Sequence, residues 1–168
     1  MPAYAIRPAR AEDAAAVAEI WTKGWADGHL GNVPDDLVAV RTPESFRQRA
    51  AERVLQTTVA VSESEQIAGF VMVVGDEVEQ VYVASDHRGG GVAANLLAEA
   101  ERQVAAGGHG QAWLAVVDGN HRARRFYERC GWTDDGMFTY QAEAASGTLS
   151  VPCHRYVKPV SGTQAASA

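Results

Sequence analysis

The chain contains few cysteines and no long apolar run, and these absences exclude several classes of protein. Only two cysteines occur, Cys130 and Cys153, which is too few for a disulfide framework. Neither they nor the five histidines have the spacing of a metal site, so we predict no metal. No apolar stretch approaches the ~20 residues that span a bilayer, and the N-terminus lacks the pattern of a signal peptide. We therefore expect a cytoplasmic protein that does not bind a membrane.

Positive charge is also scarce, since 15 Lys and Arg are outnumbered by 21 Asp and Glu, for a net charge of −6. Broad nucleic-acid binding needs a basic surface, so we expect no nucleic-acid partner. The composition, with 46% hydrophobic and 21% charged residues, is that of a globular protein. A length of 168 residues suits a single domain. We predict that this domain covers residues 1–160 and that the small, polar residues 161–168 form a disordered tail.

The hydrophobic pattern predicts a fold that mixes helices and strands. Three strands separated by very short turns must form an antiparallel meander. The next strand follows a helix, as in a parallel strand–helix–strand unit. After a further helix that Gly131 ends, a hairpin with a long loop completes the sheet. The predicted strands are 3–7, 57–62, 66–74, 77–83, 112–117, 132–142 and 151–158, and the predicted helices begin near residues 11, 42, 92 and 120.

The stretch from Glu77 to Glu101 changes its hydrophobic period halfway. Alternation around Val81 and Val83 is typical of a strand, whereas the spacing from Val92 onward is helical. Three consecutive glycines, residues 89–91, lie between them. Without Cβ atoms, backbone N–H groups can approach a ligand closely, and the helix N-terminus adds unpaired N–H groups and partial positive charge. The stretch predicts an anion site, most often for phosphate. The plain alternative is a flexible connection before a core helix.

Two of the known glycine-loop motifs fit this context poorly. The P-loop pattern GxxxxGK[ST] is absent, which argues against a nucleoside triphosphatase. Gly89-x-Gly91-x-x-Ala94 does fit the dinucleotide fingerprint GxGxxG/A. That fingerprint usually follows the first strand of a long parallel sheet, whereas here it follows an antiparallel meander. No acidic residue ends a strand about 20 positions further on, so a dinucleotide-binding domain is disfavoured.

Two blocks of sequence resemble the GNAT superfamily of N-acetyltransferases. Arg88-x-x-Gly91-x-Ala93 is similar to the family's pyrophosphate loop, [QR]-x-x-G-x-[GA]. Asn120-x-x-Ala123-x-x-Phe126-Tyr127-x-x-x-Gly131-Trp132 is similar to its N-x-x-A-x-x-F-Y-x-x-x-G-[FW] block. A weaker similarity covers residues 25–34, where His29 stands in place of the usual Tyr. The resemblance covers roughly residues 3–158. It implies a GNAT-like α/β (α+β) fold, with a mixed, mostly antiparallel central sheet of about seven strands and helices on both faces.

The resemblance also implies a cosubstrate, acetyl-CoA, and residues that bind it. The backbone of the strand around Tyr82 would pair with the pantetheine arm, and the loop N–H groups would hold the pyrophosphate. Asn120 would fix the far side of the coenzyme, besides capping a helix. The implied cofactor-binding residues are Val81, Tyr82, Val83, Arg88, Gly89, Gly90, Gly91, Val92, Ala93 and Asn120.

The implied reaction is acetyl transfer to a primary amine of a small molecule or peptide by direct attack. Tyr127 is implied to lie near the thioester sulfur. Glu79 is our candidate for the base, because strand alternation places it on the face of Val81 and Val83; Glu77 is the fallback. The acceptor is expected between residues 25–34, Glu79 and a loop at 141–150. A non-catalytic acyl-CoA sensor is the alternative. Homodimers are common among relatives, but no feature of the sequence bears on this.

Overall fold

The computed structural model describes residues 3–160, and its centre is a seven-stranded sheet in the order β1-β2-β3-β4-β5-β7-β6. Every neighbouring pair is antiparallel except β4 and β5. The predicted fold class and the predicted meander are confirmed. The predicted tail 161–168 lies outside the described residues. The strands are β1 (Tyr4–Pro8), β2 (Thr57–Ser62), β3 (Ile67–Val74), β4 (Glu77–Val83), β5 (Gln111–Val117), β6 (Thr133–Ala144) and β7 (Gly147–Pro159).

Helices cover both faces of the sheet, as the resemblance implied. On one face, the apolar stripe of α4 packs on the sheet, and α5 lies beside it. On the other face, α1 and α3 enclose a cluster around Trp21, Phe46 and Phe70. Within residues 3–160, no helix is both long and apolar enough to cross a bilayer. The helices are α1 (Ala14–His29), α2 (Asp35–Val40), α3 (Pro43–Glu52), α4 (Val92–Ala106) and α5 (His121–Arg129).

Two local features differ from the prediction. The short helix α2 was not expected, because its six residues carry too little periodicity to separate a helical turn from a loop. The prediction of a long loop in the last hairpin is also wrong. β6 and β7 pair as far as Ala144 and Gly147, and the Gln141 side chain bonds to Ser150 across the strands. Residues 141–150 are therefore mostly paired strand, which cross-strand polar pairs stabilise.

Strands β4 and β5 separate almost as soon as they meet. Their only paired position is Glu77 with Trp113, whereas β5 pairs with β7 along its whole length, from Gln111 to Val117. Among residues 3–160, no strand therefore pairs with the remainder of β4 on its β5 side. Its backbone N–H and C=O groups there are open to a ligand, and a wedge-shaped gap crosses the sheet.

An irregularity in β4 reverses which face its first residues occupy. Gln80 pairs with Met72 and Val78 with Val73, so Glu79 is an extra residue, as in a β-bulge. Val78 consequently packs in the α4 cluster together with Val81 and Val83. Glu79 instead contacts Arg53 just beyond α3 on the opposite face. The expectation that Glu79 shares a face with Val81 and Val83 is wrong, because the bulge interrupts strict alternation.

Candidate functional site

A cavity of about 540 Å³ occupies the gap between β4 and β5. This volume lies within the usual range of small-molecule sites. The cavity opens to both faces of the sheet, since its walls include α4 and α5 on one side and α1, α3 and β6 on the other. Of the predicted site residues, Gly90 is absent from the wall. The others all line it: Glu79, Val81, Tyr82, Val83, Arg88, Gly89, Gly91, Val92, Ala93, Asn120 and Tyr127.

One end of the cavity is formed by the glycine loop and the start of α4. Gly89 and Gly91 have φ of +84° and +82°, a left-handed conformation that L side chains rarely adopt. Within residues 3–160, none of the N–H groups of residues 89–94 donates to a backbone carbonyl. Because the helix dipole adds positive potential at this point, the end favours an anion. The Arg88 side chain is bonded to Asp27 of α1, 3.1 Å away.

Two glycines of α1 allow this helix to pack closely against other elements of the cavity wall. A Cβ built on Gly24 of α1 would lie 2.3 Å from the ring of Tyr82, so only glycine lets the helix pack against that ring. A Cβ on Gly28 would lie 2.7 Å from the amide nitrogen of Asn120. The other end of that amide accepts a hydrogen bond from the N–H of Ala123, which confirms the predicted helix cap.

Tyr127 is half-buried among aromatic rings, with its ring centre 5.3 Å from that of Phe126 and 6.2 Å from that of Tyr156. Burial raises the pKa of the Tyr127 phenol above its ordinary value, so the hydroxyl keeps its proton at neutral pH. This hydroxyl has no hydrogen-bond partner among residues 3–160. It is free to donate to a ligand in the cavity.

Glu79 is held by an arginine that sequence reasoning did not identify. Arg53 donates to both oxygens of the Glu79 carboxylate, at 3.2 and 3.3 Å. The same guanidinium also donates to Glu143 of β6 at 2.6 Å. Two charge-assisted hydrogen bonds, one on each oxygen, therefore hold this carboxylate in place.

Glu77 lies in a different environment on the same strand. Its carboxyl accepts a hydrogen bond from the Tyr140 hydroxyl at 2.6 Å, and both residues line the cavity. Burial raises the pKa of Glu77 to about 7, and the nearby Glu79 and Asp76 charges add to the rise, while the Tyr140 hydrogen bond opposes it. A carboxyl with this pKa can exchange a proton at neutral pH. The sequence does not show the environment of Glu77, because both its burial and its contact with Tyr140, 63 residues away, depend on the tertiary fold.

His29 closes the cavity near the end of α1. Its ring stacks on Trp25 with centroids 4.8 Å apart, and Nδ1 lies 3.0 Å from the Trp25 carbonyl oxygen. Because a carbonyl can only accept, Nδ1 carries the proton and Nε2 keeps a free lone pair. Burial lowers the pKa of His29 to about 4, so the ring is neutral at physiological pH. It is suited to accept a hydrogen bond from an acceptor substrate.

Two further arginines, Arg41 and Arg49, line the same half of the cavity. Within residues 3–160 neither forms an ion pair or a side-chain hydrogen bond, in contrast to Arg53. Arg49 lies over the ring of Trp21, 4.4 Å from its centre. Burial lowers the pKa of Arg41 to about 10, and the Arg49 charge contributes to that fall, yet Arg41 remains a cation at pH 7. No motif marked these residues, since isolated arginines carry no sequence signal.

Comparison with known proteins agrees with the two sequence motifs. Residues 16–132 match the model of the Acetyltransferase (GNAT) family. Streptothricin acetyltransferase of Streptomyces lavendulae is 32% identical over 110 residues, which cover 58% of this chain and 58% of that protein. The chain thus spans little more than half the length of the curated relatives it matches.

Solved structures agree on the fold. A GNAT superfamily phosphinothricin acetyltransferase from Sinorhizobium meliloti, in complex with AcCoA, superimposes with a TM-score of 0.70 at 18% identity, covering 95% of this chain and 89% of that one. Nourseothricin acetyltransferase is 32% identical, with a TM-score of 0.51 over 62% of this chain and 64% of its own. Because the family model spans most of the chain, this protein belongs to the GNAT family of acetyltransferases.

Proposed function

We propose that the protein transfers the acetyl group of acetyl-CoA to a primary amine of a small molecule by direct attack. The observation that carries the proposal is the cavity between β4 and β5. It runs from the unpaired N–H groups at the start of α4 to the Glu77–Tyr140 pair on the opposite face of the sheet. An anion site and a titratable carboxyl are thereby connected through one opening.

The coenzyme would lie on the α4 side. Its pyrophosphate would accept hydrogen bonds from the N–H groups of residues 89–94, whereas the N–H of Arg88 already faces the carbonyl of Ser85 at 3.4 Å. The pantetheine arm would pair with the open edge of β4 at Val81 and Val83, as an added strand does. The four residue-to-residue steps of strand from Val83 to Glu79 span roughly 13 Å. The thioester would then lie near the point where the cavity crosses the sheet.

The amine presents the main energetic obstacle. An alkyl amine with a pKa near 10.4 is neutral about once in 2,500 molecules at pH 7, which costs roughly 4.6 kcal/mol. Glu77 is the better base on this structure, because its pKa is about 7 and its carboxyl does not pair with Arg53. Glu79 would instead fix Arg53 beside the acceptor. Proton transfer would run from the amine to Glu77, directly or through one water.

The leaving thiolate needs a hydrogen bond. Tyr127 would supply it, because its hydroxyl has no partner among residues 3–160 and its ring is fixed by packing. A phenol is a weaker acid than a thiol by about 1.5 pKa units. Hydrogen bonding is therefore expected, with full proton transfer completed by solvent.

The test is acetyl transfer from acetyl-CoA against a panel of amines, streptothricin included, since a relative bears that name. A paired set of variants isolates the loop. Gly91→Val and Gly108→Val lie at opposite ends of α4, both at positive φ and both with no atom within 4 Å of an added Cβ. They share the same backbone strain, about 1–2 kcal/mol. Only Gly91→Val should abolish acetyl-CoA binding, measured by calorimetry.

Normal acetyl-CoA affinity in Gly91→Val would refute the loop assignment. Binding of acetyl-CoA without turnover of any amine would favour a non-catalytic acyl-CoA sensor. The cytoplasmic location and a homodimer stay predictions.

A further inference from the structure

The half of the cavity that contains Glu77 and His29 also contains two arginines that form no ion pair within residues 3–160. Arg41 and Arg49 both line it and lie close enough for each charge to affect the other. Burial of an unpaired cation is costly, and a second cation nearby increases that cost. The nearest carboxylates, Glu79 and Glu143, are already bonded to Arg53. Within residues 3–160 neither arginine therefore has an ion-pair partner, although the Glu79 and Glu143 charges act on Arg49, and the Glu143 charge acts on Arg41, at longer range.

The two arginines are also presented in a way that suits a ligand. The ring of Trp21 occupies one face of the Arg49 guanidinium. Stacking uses the flat face and leaves the N–H groups at the edge free to donate. A guanidinium edge matches the two oxygens of a carboxylate. Glu77 and the Nε2 of His29, which line the same cavity, are acceptors suited to an amine.

We propose that the acceptor is a small amine that also bears a carboxylate, as an amino acid does, and that Arg41 and Arg49 bind that carboxylate. This inference rests on the proposed acetyl transfer and specifies its substrate class. A polycationic acceptor would bring its positive groups against the arginines, which like-charge repulsion disfavours. The amine would meet Glu77 while the carboxylate contacts Arg41 and Arg49.

The experiment compares each amino acid of a panel with the same molecule lacking its carboxylate, for example methionine with 3-(methylthio)propylamine. Binding to the CoA-loaded protein is measured by calorimetry and turnover by CoA release. The wild type should prefer at least one amino acid over its decarboxylated partner by about 10- to 100-fold, the usual effect of a hydrogen bond to a charged group.

Three variants separate the arginines from general effects. Arg41→Met and Arg49→Met keep the apolar stem but remove the charge, and Arg47→Met does the same at an exposed position of α3 outside the cavity. Arg41→Met and Arg49→Met should lose the preference for the amino acid and leave the decarboxylated amine and acetyl-CoA affinity within about threefold. Arg47→Met should match the wild type.

Equal or better binding of the decarboxylated amines by the wild type across the panel would overturn the proposal. It would also be overturned if Arg41→Met and Arg49→Met weakened the binding of an amino acid and of its decarboxylated partner equally. Either result would leave the proposed acetyl transfer standing, provided that the protein still releases CoA from acetyl-CoA in the presence of those amines. Failure of the chain to bind acetyl-CoA would instead overturn the proposed function itself.

Discussion

Replacing Glu77 with glutamine should remove a proton acceptor while preserving shape. The amide oxygen of the variant can still accept from Tyr140, so the 2.6 Å contact has a neutral substitute. The wild-type carboxyl has a pKa of about 7, raised mainly by burial. A base acts only when ionised, so its active fraction rises with pH, from about 9% at pH 6 to about 91% at pH 8. At saturating amine, kcat should therefore increase about tenfold over this range.

In Glu77→Gln the inflection near pH 7 should disappear, and kcat at pH 8 should fall by about 10²- to 10⁴-fold, the usual contribution of a general base. Initial rates of CoA release between pH 5.5 and 9.5 measure both effects. Glu79→Gln is the matched control on the same strand. It should disturb the contact with Arg53 but retain the inflection.

A third variant tests the direction of the pKa shift. The Tyr140 hydrogen bond lowers the pKa of Glu77, in opposition to burial. Tyr140→Phe should therefore move the inflection to higher pH and leave its amplitude similar. If Glu77→Gln keeps both the inflection and a kcat within threefold of wild type, Glu77 is not the base. An inflection lost only in Glu79→Gln would assign the role to Glu79.

Two further variants test the remaining walls of the cavity. Tyr127→Phe should lower kcat about 10- to 100-fold, the loss of one hydrogen bond to a charged thiolate, with acetyl-CoA affinity unchanged by calorimetry; unchanged turnover would exclude Tyr127 from the mechanism. Gly24→Ala would place a Cβ 2.3 Å from the Tyr82 ring. Overpacking of about 1–3 kcal/mol should exceed the gain of about 1 kcal/mol in helix propensity. Urea unfolding should show a lower midpoint, and a more stable, fully active variant would contradict this packing.

Local patterns account for most of the fold that could be predicted. Thr42 accepts a hydrogen bond from the N–H of Ser45, as expected for a residue placed before a proline at a helix start. The short turns between 62 and 77 left only an antiparallel meander. Each of these signals lies within a few residues of its effect, so a single sequence contains it.

The charged part of the site depends on contacts that no local pattern contains. Arg53 reaches Glu143 across 90 positions, and Tyr140 reaches Glu77 across 63. Whether a given arginine ends paired or unpaired is decided by tertiary packing. The sequence could therefore indicate the end of the cavity that a contiguous glycine loop builds, but not the end near Glu77, which distant strands and helices assemble.

The bulge in β4 explains how one strand can serve both ends of the cavity. In a regular strand Glu77 would share a face with Val81 and Val83, on the α4 side. The extra residue at Glu79 moves Glu77 to the other face, where Tyr140 packs. The same irregularity brings Val78 into the α4 cluster. Because β5 diverges beyond Glu77, the gap between the strands joins the two faces. A strand that changes faces beside such a gap can align a thioester held on one side with an amine held on the other.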